Sequence, residues 1–153
     1  MAHDFGAELV AAGFTSADGV TSFGEGAPIS VSDSATKTAT VGVVGLGYVG
    51  LPLAVALAKH FNVIGLDIDQ ARVDELRAHV DRTGEVESDT LAGSTLALST
   101  EPSDCRGAKI FIVTVPTPVD AENRPDLSAV EGASRAVGRL LKGGQSQIVV
   151  YES

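Results

Sequence analysis

The chain is poor in cysteine, in aromatic residues and in positive charge. Of its 153 residues, one is Cys, none is Trp and 5% are aromatic. A single cysteine excludes an internal disulfide and a cysteine-rich metal site. The histidines His3, His60 and His79 do not have the spacing of metal ligands either, so we expect no metal site.

Positive charge is scarce because 11 Lys and Arg face 20 Asp and Glu, which gives a net charge of -9. An acidic chain repels phosphate backbones, which argues against nucleic acid and anionic membranes as partners. A local anion site built from backbone N–H groups is still allowed, since it needs no net positive charge. No apolar run reaches the ~18 residues of a membrane span, and the first residues lack the pattern of a secretory signal. We therefore expect a cytoplasmic protein.

The composition changes near residue 38. Residues 1–38 are rich in Gly, Ser and Ala and show no sustained apolar period. We interpret them as a flexible extension that buries too little apolar area to fold. A misplaced start of translation would explain the same segment, and the sequence leaves both interpretations open. Residues 39–153 suffice for one domain with a core, but not for a cofactor domain plus a substrate domain of similar size.

From residue 39 onward, short apolar runs alternate with helix-length segments. This alternation predicts βαβ units and hence an α/β fold with a doubly wound parallel sheet. The strands are predicted at Thr40–Val44, Val63–Leu66, Leu96–Ser99, Ile110–Val115 and Ile148–Tyr151. Helices are predicted at Leu51–His60 and at Asp69–Val80, the second with an apolar face of Val73, Leu76 and Val80. A further helix is predicted after an N-cap at Asp126 and is expected to end at Gly143 and Gly144. Its apolar stripe consists of Leu127, Val130, Val137 and Leu141. No covering helix follows the last strand, so we expect the sheet to be incomplete at the C-terminus.

A glycine-rich turn joins the first predicted strand to the first predicted helix. It contains the motif G-x-G-x-x-G at Gly45, Gly47 and Gly50. Gly45 permits the tight turn, Gly47 lets a pyrophosphate approach the backbone, and Gly50 lets the helix pack close to the strand. The free N–H groups at the start of the helix then face the phosphate charge. The motif predicts a dinucleotide site, and the alternative is a glycine turn between core elements that binds no ligand.

An acidic residue follows the second predicted strand. Asp67 lies 22 residues after Gly45, and the expected spacing for the carboxylate that binds the ribose hydroxyls is about 20. A carboxylate repels a 2′-phosphate, so Asp67 favours NAD over NADP. Arg72 follows on the next predicted helix, where it either flanks the adenosine ribose or is a solvated charge on the helix surface.

Three further segments carry candidate residues. Val113–Pro118 lies at the carboxyl end of a predicted strand, where ligands bind in open α/β sheets. Its Thr117 can offer a hydroxyl to a cofactor, and the alternative is a rigid loop stiffened by prolines. Cys105 has no histidine nearby, so we do not expect it to be a nucleophile. The acidic stretch is interpreted as a solvated loop and consists of Asp81, Glu85, Glu87 and Asp89.

Several ordered blocks of the sequence resemble a known family. Val41–Gly50 continued by Leu51–Ala54, and then Phe111–Pro118, Arg124–Leu127 and Tyr151–Ser153, are similar to motifs of the UDP-sugar 6-dehydrogenases. The resemblance covers about residues 40–153. It is closest to the branch that acts on UDP-N-acetylhexosamines.

This resemblance implies a Rossmann-type fold and an NAD-dependent enzyme that oxidises the C6 hydroxyl of a UDP-sugar, a UDP-N-acetylhexosamine or UDP-glucose, to the uronic acid. The cofactor-binding residues that it implies are Gly45, Gly47, Tyr48, Val49 and Gly50 at the pyrophosphate, Asp67 and Arg72 at the adenosine ribose, Val115 and Thr117 along the cofactor, and Ser153 near the nicotinamide. The family's catalytic cysteine, lysine and asparagine have no counterpart in this chain. The resemblance thus implies no catalytic residue here, no turnover by this chain alone, and a homo-oligomer for the full-length enzyme.

Two other functions fit the glycine motif. One is a non-catalytic dinucleotide-binding module that regulates or scaffolds a partner. The other is the first domain of a different NAD-dependent hydroxyacid dehydrogenase. That enzyme would share the glycine turn, but we would not expect it to share Val113–Pro118 together with Arg124–Leu127.

Overall fold

The computed structural model describes residues 39–119 and 121–152. The predicted extension at residues 1–38 and the predicted site residue Ser153 lie outside the described residues. The elements are β1 (Thr40–Val44), α1 (Gly50–Ala58), β2 (Asn62–Leu66), α2 (Gln70–Arg77), α3 (Ser88–Ala92), β3 (Ala97–Ser99), a 3-10 turn (Pro102–Cys105), β4 (Ile110–Val113), α4 (Ser128–Gly138) and β5 (Ile148–Tyr151).

The five strands form one parallel sheet in the order β3-β2-β1-β4-β5. Within the described residues, the first strand, β1, therefore lies in the middle of the sheet. β2 and β3 follow on one side of it, and β4 and β5 follow on the other side. This confirms the predicted doubly wound Rossmann-type fold. Val44 at the end of β1 is in register with Leu66 of β2 and with Val113 of β4. Three strands thus end at the same level, beside the point where the strand order reverses.

The core lies on both faces of the sheet because β1 and β4 alternate between them. Val41 and Val43 pack with residues of α1, whereas Val44 packs in a second cluster with Phe111 and with Val137 of α4. These strand residues are 6% exposed or less. A parallel strand covered on both faces reads as a continuous apolar run, which is why the sequence identified β1 and β4.

The boundaries of the second and last helices differ from the prediction. α2 ends at Arg77, so Val80 lies beyond it and is 53% exposed instead of completing an apolar face. Asp69 caps α2, since its side chain accepts a hydrogen bond from the N–H of Ala71. This acceptor satisfies one of the N–H groups that the first turn of a helix leaves free.

The predicted apolar stripe of α4 is partly wrong. The helix begins at Ser128 and ends at Gly138, so Leu127 and Leu141 lie outside it and are exposed. The buried residues are Ala133 and Val137 of the helix and Leu140 just beyond it, all in one core cluster. The prediction that Gly143 and Gly144 end the helix is also wrong, because they belong to a later turn. Asp126 does accept a hydrogen bond from the N–H of Ser128, as a capping residue would.

Among the residues that the structure describes, none of the helices has the length and apolar character needed to cross a lipid bilayer.

Candidate cofactor site

A cavity of about 600 Å³ opens at the carboxyl ends of β1, β2 and β4. This volume is in the range of ordinary small-molecule and cofactor sites. Its walls are the loop after β1, the segment after β2, the segment after β4 and one side of α4. They include Gly45, Leu46, Gly47, Asp67, Arg72, Arg82, Thr83, Thr114, Val115, Pro116, Ser128, Ala129, Gly132, Ala133 and Ala136.

The three motif glycines meet different surroundings. Gly45 has φ +96°, and a Cβ there would lie 3.1 Å from the carbonyl group of Thr114. A Cβ on Gly50 would overlap the carbonyl oxygen of Gly45 and the hydroxyl of Thr114, so α1 approaches the sheet only because this Cβ is missing. A Cβ on Gly47 would meet nothing within 4 Å. Gly45 and Gly50 are therefore needed by the fold, whereas Gly47 leaves the backbone open to a ligand.

The loop between β1 and α1, hereafter the glycine loop (residues 45–49), presents backbone donors. The N–H groups of Gly47, Tyr48 and Val49 have no hydrogen-bond partner within residues 39–119 and 121–152. The side chain of Tyr48 is 68% exposed, so this residue would act through its backbone. Unpaired N–H groups at the start of a helix carry partial positive charge and bind phosphate oxygens. The glycine loop can thus hold a diphosphate in a chain of negative net charge.

Asp67 lies against the glycine loop. Its Oδ2 accepts a hydrogen bond of 2.8 Å from the N–H of Leu46, and its Oδ1 accepts one of 3.0 Å from the N–H of Asp69. An ionised carboxylate has about four acceptor positions. Two of them remain for hydroxyl groups, so the arrangement is compatible with the predicted contact to the ribose, which stays a prediction.

Arg72 is a buried residue with defined partners. It is 4% exposed, its Nε donates to the carbonyl oxygen of Leu46 at 2.9 Å, and its Nη2 donates to Asp81 at 2.7 Å. The interpretation of Arg72 as a solvated charge is therefore wrong. Arg72 lines the cavity, and its Nη1 is buried without a hydrogen-bond partner in the described part of the chain. Nη1, which lies 3.9 Å from Oε2 of Glu75 without a hydrogen bond to it, thus remains as a donor group for a ligand near the predicted ribose position.

The interpretation of the acidic stretch as a solvated loop is wrong for Asp81. The side chain of Asp81 is 1% exposed and pairs with Arg72. The three other acids, Glu85, Glu87 and Asp89, are exposed as expected, but Asp89 belongs to α3 and not to a loop. The acidic stretch alone does not indicate which carboxylate is buried, because Asp81 is buried through its hydrogen bond to Arg72, nine residues earlier in the chain.

The segment after β4 forms the wall opposite Asp67. Val115 and Pro116 line the cavity, whereas the predicted site residue Thr117 is partly buried but does not line it. Sequence reasoning missed Thr114, whose hydroxyl lies 2.7 Å from the carbonyl oxygen of Gly45 and donates to it. A hydroxyl residue directly after an apolar strand, facing a glycine turn, was the available signal.

The small residues of α4 were also missed. Ala129, Gly132, Ala133 and Ala136 line the cavity on one side of the helix. Their spacing follows the helical repeat, so a stripe of small side chains on a helix after β4 could have indicated a surface that leaves room for a ligand.

Cys105 is not placed for catalysis. Its side chain is fully buried in the 3-10 turn, and burial, assisted by the charge of Asp104, raises the pKa of the Cys105 thiol to about 11. A neutral thiol at physiological pH is a poor nucleophile. Within the described ranges, no three His, Cys, Asp or Glu side chains come together as ligands for a metal ion.

The strand order, the glycine loop with its open Gly47, and Asp67 at the end of β2 together define a dinucleotide-binding Rossmann domain. The particular family follows from comparison with known proteins. Residues 39–153 match the model of the UDP-glucose/GDP-mannose dehydrogenase family, NAD binding domain. The chain belongs to this family, and the coenzyme of the matched domain is NAD.

Individual relatives agree with the family assignment. The chain is 48% identical over 118 residues to UDP-N-acetyl-D-glucosamine 6-dehydrogenase of Pseudomonas aeruginosa, an alignment that covers 76% of this chain and 28% of the relative. It is 42% identical over 113 residues to protein CapL of Staphylococcus aureus, covering 74% and 26% of the two chains. The chain therefore spans little more than a quarter of the length of these relatives.

Solved structures show the same likeness. The UDP-N-acetyl-mannosamine dehydrogenase Cap5O from Staphylococcus aureus superposes with a TM-score of 0.61 at 32% identity, covering 75% of this chain and 28% of that one. The UDP-D-ManNAc dehydrogenase from Pyrococcus horikoshii gives a TM-score of 0.66 at 30% identity, with 74% and 28% covered.

Proposed function

We propose that this chain is the coenzyme-binding part of an enzyme that oxidises the C6 hydroxyl of a UDP-N-acetylhexosamine to the uronic acid. The relatives that are named for their substrate act on UDP-N-acetyl-D-glucosamine or on UDP-D-ManNAc and related sugars. UDP-glucose remains the alternative sugar. In this proposal the longer enzyme binds the UDP-sugar and forms a homo-oligomer. We infer that this enzyme is located in the cytoplasm.

The observation that carries the proposal is the open backbone at Gly47 beside three unpaired N–H groups. A cradle that a Cβ would fill, next to positive backbone dipoles, fits a diphosphate better than any other common group. Hydrogen bonds from these N–H groups are stronger to an anion than to an uncharged ligand, and a cation would be repelled. NAD, when bound, supplies the acceptor for the hydride that leaves the sugar.

The roles of the individual residues are part of this proposal. The N–H groups of Gly47, Tyr48 and Val49 would bind the diphosphate, with Gly45 and Gly50 shaping the turn. Other contacts are proposed for Asp67 and Arg72 at the ribose and for Val115, Thr117 and Ser153 further along the coenzyme.

The chain itself supplies binding and orientation and no nucleophile. Cys105 is buried in the same core cluster as Phe111, and the raised pKa of its thiol keeps it protonated at neutral pH. We accordingly propose that the purified chain produces no NADH from any UDP-sugar. NADH production by this chain alone would show that a catalytic group has been overlooked.

Calorimetry with NAD and NADP tests the proposal. We expect NAD to bind at least about tenfold more tightly than NADP, because the Asp67 carboxylate repels a 2′-phosphate. Asp67→Ala should weaken NAD binding and narrow the difference between the two coenzymes. Asp74→Ala is the matched control, because Asp74 is an exposed carboxylate on α2 that does not line the cavity. Equal binding of both coenzymes by the unaltered chain would overturn the role of Asp67.

A further inference from the structure

Leu46, between the first two motif glycines, is held at both of its peptide groups. Its N–H donates to Asp67 at 2.8 Å and its carbonyl oxygen accepts from Arg72 at 2.9 Å. The side chain of Leu46 is fully buried in the core. Two side chains of opposite charge therefore fix the backbone that leads directly into Gly47 and its unpaired N–H group.

Arg72 is itself fixed by Asp81. The two side chains are 5% and 1% exposed, and Arg72 Nη2 donates to Asp81 Oδ1 at 2.7 Å. A guanidinium whose Nε and Nη2 are both engaged has its plane and direction determined. The position of the Leu46 carbonyl thus depends on Asp81, although Asp81 does not line the cavity.

Asp81 collects donors from its own loop as well. Its carboxylate accepts from the N–H and the hydroxyl of Thr83 and from the N–H groups of Glu85 and Val86, at 2.7–3.0 Å. This organises the turn that brings Arg82 and Thr83 to the edge of the cavity. Together with the bond to Arg72, one buried carboxylate joins two separate parts of the cavity wall.

The ionised state of Asp81 is maintained by these donors. Burial by itself would raise the pKa of the Asp81 carboxyl, but hydrogen bonds from Thr83, Arg72 and Val86 outweigh burial and hold that pKa well below its usual range. The charge is therefore present at neutral pH. Loss of Asp81 would leave buried Arg72 with Glu75, 3.9 Å from its Nη1, as its remaining acidic neighbour.

We propose that Asp81 and Arg72 are positioning residues for NAD: as a buried pair they hold the glycine loop in the shape that binds the diphosphate. The proposal rests on NAD binding at that loop. Because Asp81 acts through Arg72 and the Leu46 carbonyl, loss of Asp81 should weaken ligands that carry a diphosphate most, and its effect should be detectable in the ligand-free protein.

Two variants and two matched controls on the full chain test this. Asp81→Asn keeps the shape but removes the charge, and Arg72→Lys keeps the charge but cannot bond to Leu46 and Asp81 together. Arg77 offers the control for arginine, since it lies on the same helix and also contacts a carboxylate, Asp74, and a backbone carbonyl, that of Leu98. Arg77→Lys and Asp74→Asn therefore change the same chemistry away from the glycine loop.

We expect the dissociation constants of NAD and ADP to rise about tenfold in Asp81→Asn and in Arg72→Lys. In Asp81→Asn the constant for AMP, which lacks the second phosphate, should rise less than about threefold, whereas Arg72→Lys also loses the proposed ribose contact and should weaken AMP as well. The controls should change no ligand by more than about twofold. The double variant should lose little more than either single variant, because both break one chain of contacts. Circular dichroism and thermal unfolding must show that each variant is folded at the temperature of titration.

A second readout needs no ligand. In the free chain, amide hydrogen exchange at Leu46, whose N–H donates to Asp67, should be faster in Asp81→Asn and Arg72→Lys, and unchanged in Arg77→Lys. If the unaltered chain binds NAD and the folded Arg72→Lys variant binds NAD and ADP equally well with unchanged exchange, the inference is wrong while the proposed function stands. If the unaltered chain does not bind NAD, both are wrong.

Discussion

The wall of the cavity that contains the glycine loop and the wall formed by α4 are held in different ways. On the first, Asp67 and Arg72 hydrogen-bond to the backbone of Leu46 at 2.8 and 2.9 Å, and Arg72 donates to the Asp81 side chain at 2.7 Å. On the second, the cavity faces small side chains of α4, of which Ser128 is the polar one. The first wall depends on charge and hydrogen bonding and the second on the absence of side-chain volume. Substitutions should therefore act on them by different mechanisms.

The largest effect is expected at Gly50, where the glycine-loop wall meets the sheet. In Gly50→Ala the new Cβ would overlap the carbonyl oxygen of Gly45 and the hydroxyl of Thr114, so the backbone must shift. We expect the free energy of unfolding to fall by about 3 kcal/mol, as measured by urea denaturation. Gly47→Ala is the control, since its Cβ meets nothing within 4 Å. It should keep the stability but weaken NAD binding, and an equal loss of stability in both variants would contradict this division of roles.

The charged character of the same wall predicts a dependence on pH. The pKa of Asp81 is lowered in the folded chain from its ordinary value of 3.8, so its stabilising effect is fully present above that value and is lost as the pH falls below it. Asp81→Asn should lower the free energy of unfolding at pH 7 by about 1–3 kcal/mol. The difference between the two proteins should shrink as the pH is lowered from 4 towards 2. Denaturation curves over that range measure it, and a constant difference would mean that Asp81 does not stabilise the fold through its charge.

The smallest effect is expected on the α4 wall. Gly132→Leu places a large side chain in the cavity from an exposed position with no atom within 4 Å of the new Cβ. NAD binding should weaken about tenfold, whereas stability should rise slightly because leucine favours a helix more than glycine does. Gly138→Leu, on the same helix but outside the cavity lining, is the calorimetric control. Equal NAD affinity in both variants would show that the coenzyme does not contact α4.

How much of the molecule could be predicted depended on how local each signal was. The strands β1 and β4 are apolar runs that are buried by their neighbours, and the glycine motif is contiguous, so both were identified. The ends of α4 were not, because Leu127 and Leu141 continue the apolar spacing although the helix stops short of them. Asp81 could not be identified as buried, since its partner Arg72 reaches it only when the chain turns back after α2. Thr114 was missed because the motif emphasises glycines, although a Cβ on one of them, Gly50, would overlap the Thr114 hydroxyl.

The double contact of Asp67 has a consequence for changing the coenzyme. Its carboxylate accepts hydrogen bonds from the backbone of Leu46 and Asp69. Replacing Asp67 with a small neutral residue, in order to admit the 2′-phosphate of NADP, therefore also removes the hydrogen bond that holds the Leu46 N–H at the start of the glycine loop. A redesign towards NADP needs a replacement that still accepts a hydrogen bond from the Leu46 N–H, such as serine or asparagine. With alanine at this position, we expect both NAD and NADP to bind weakly.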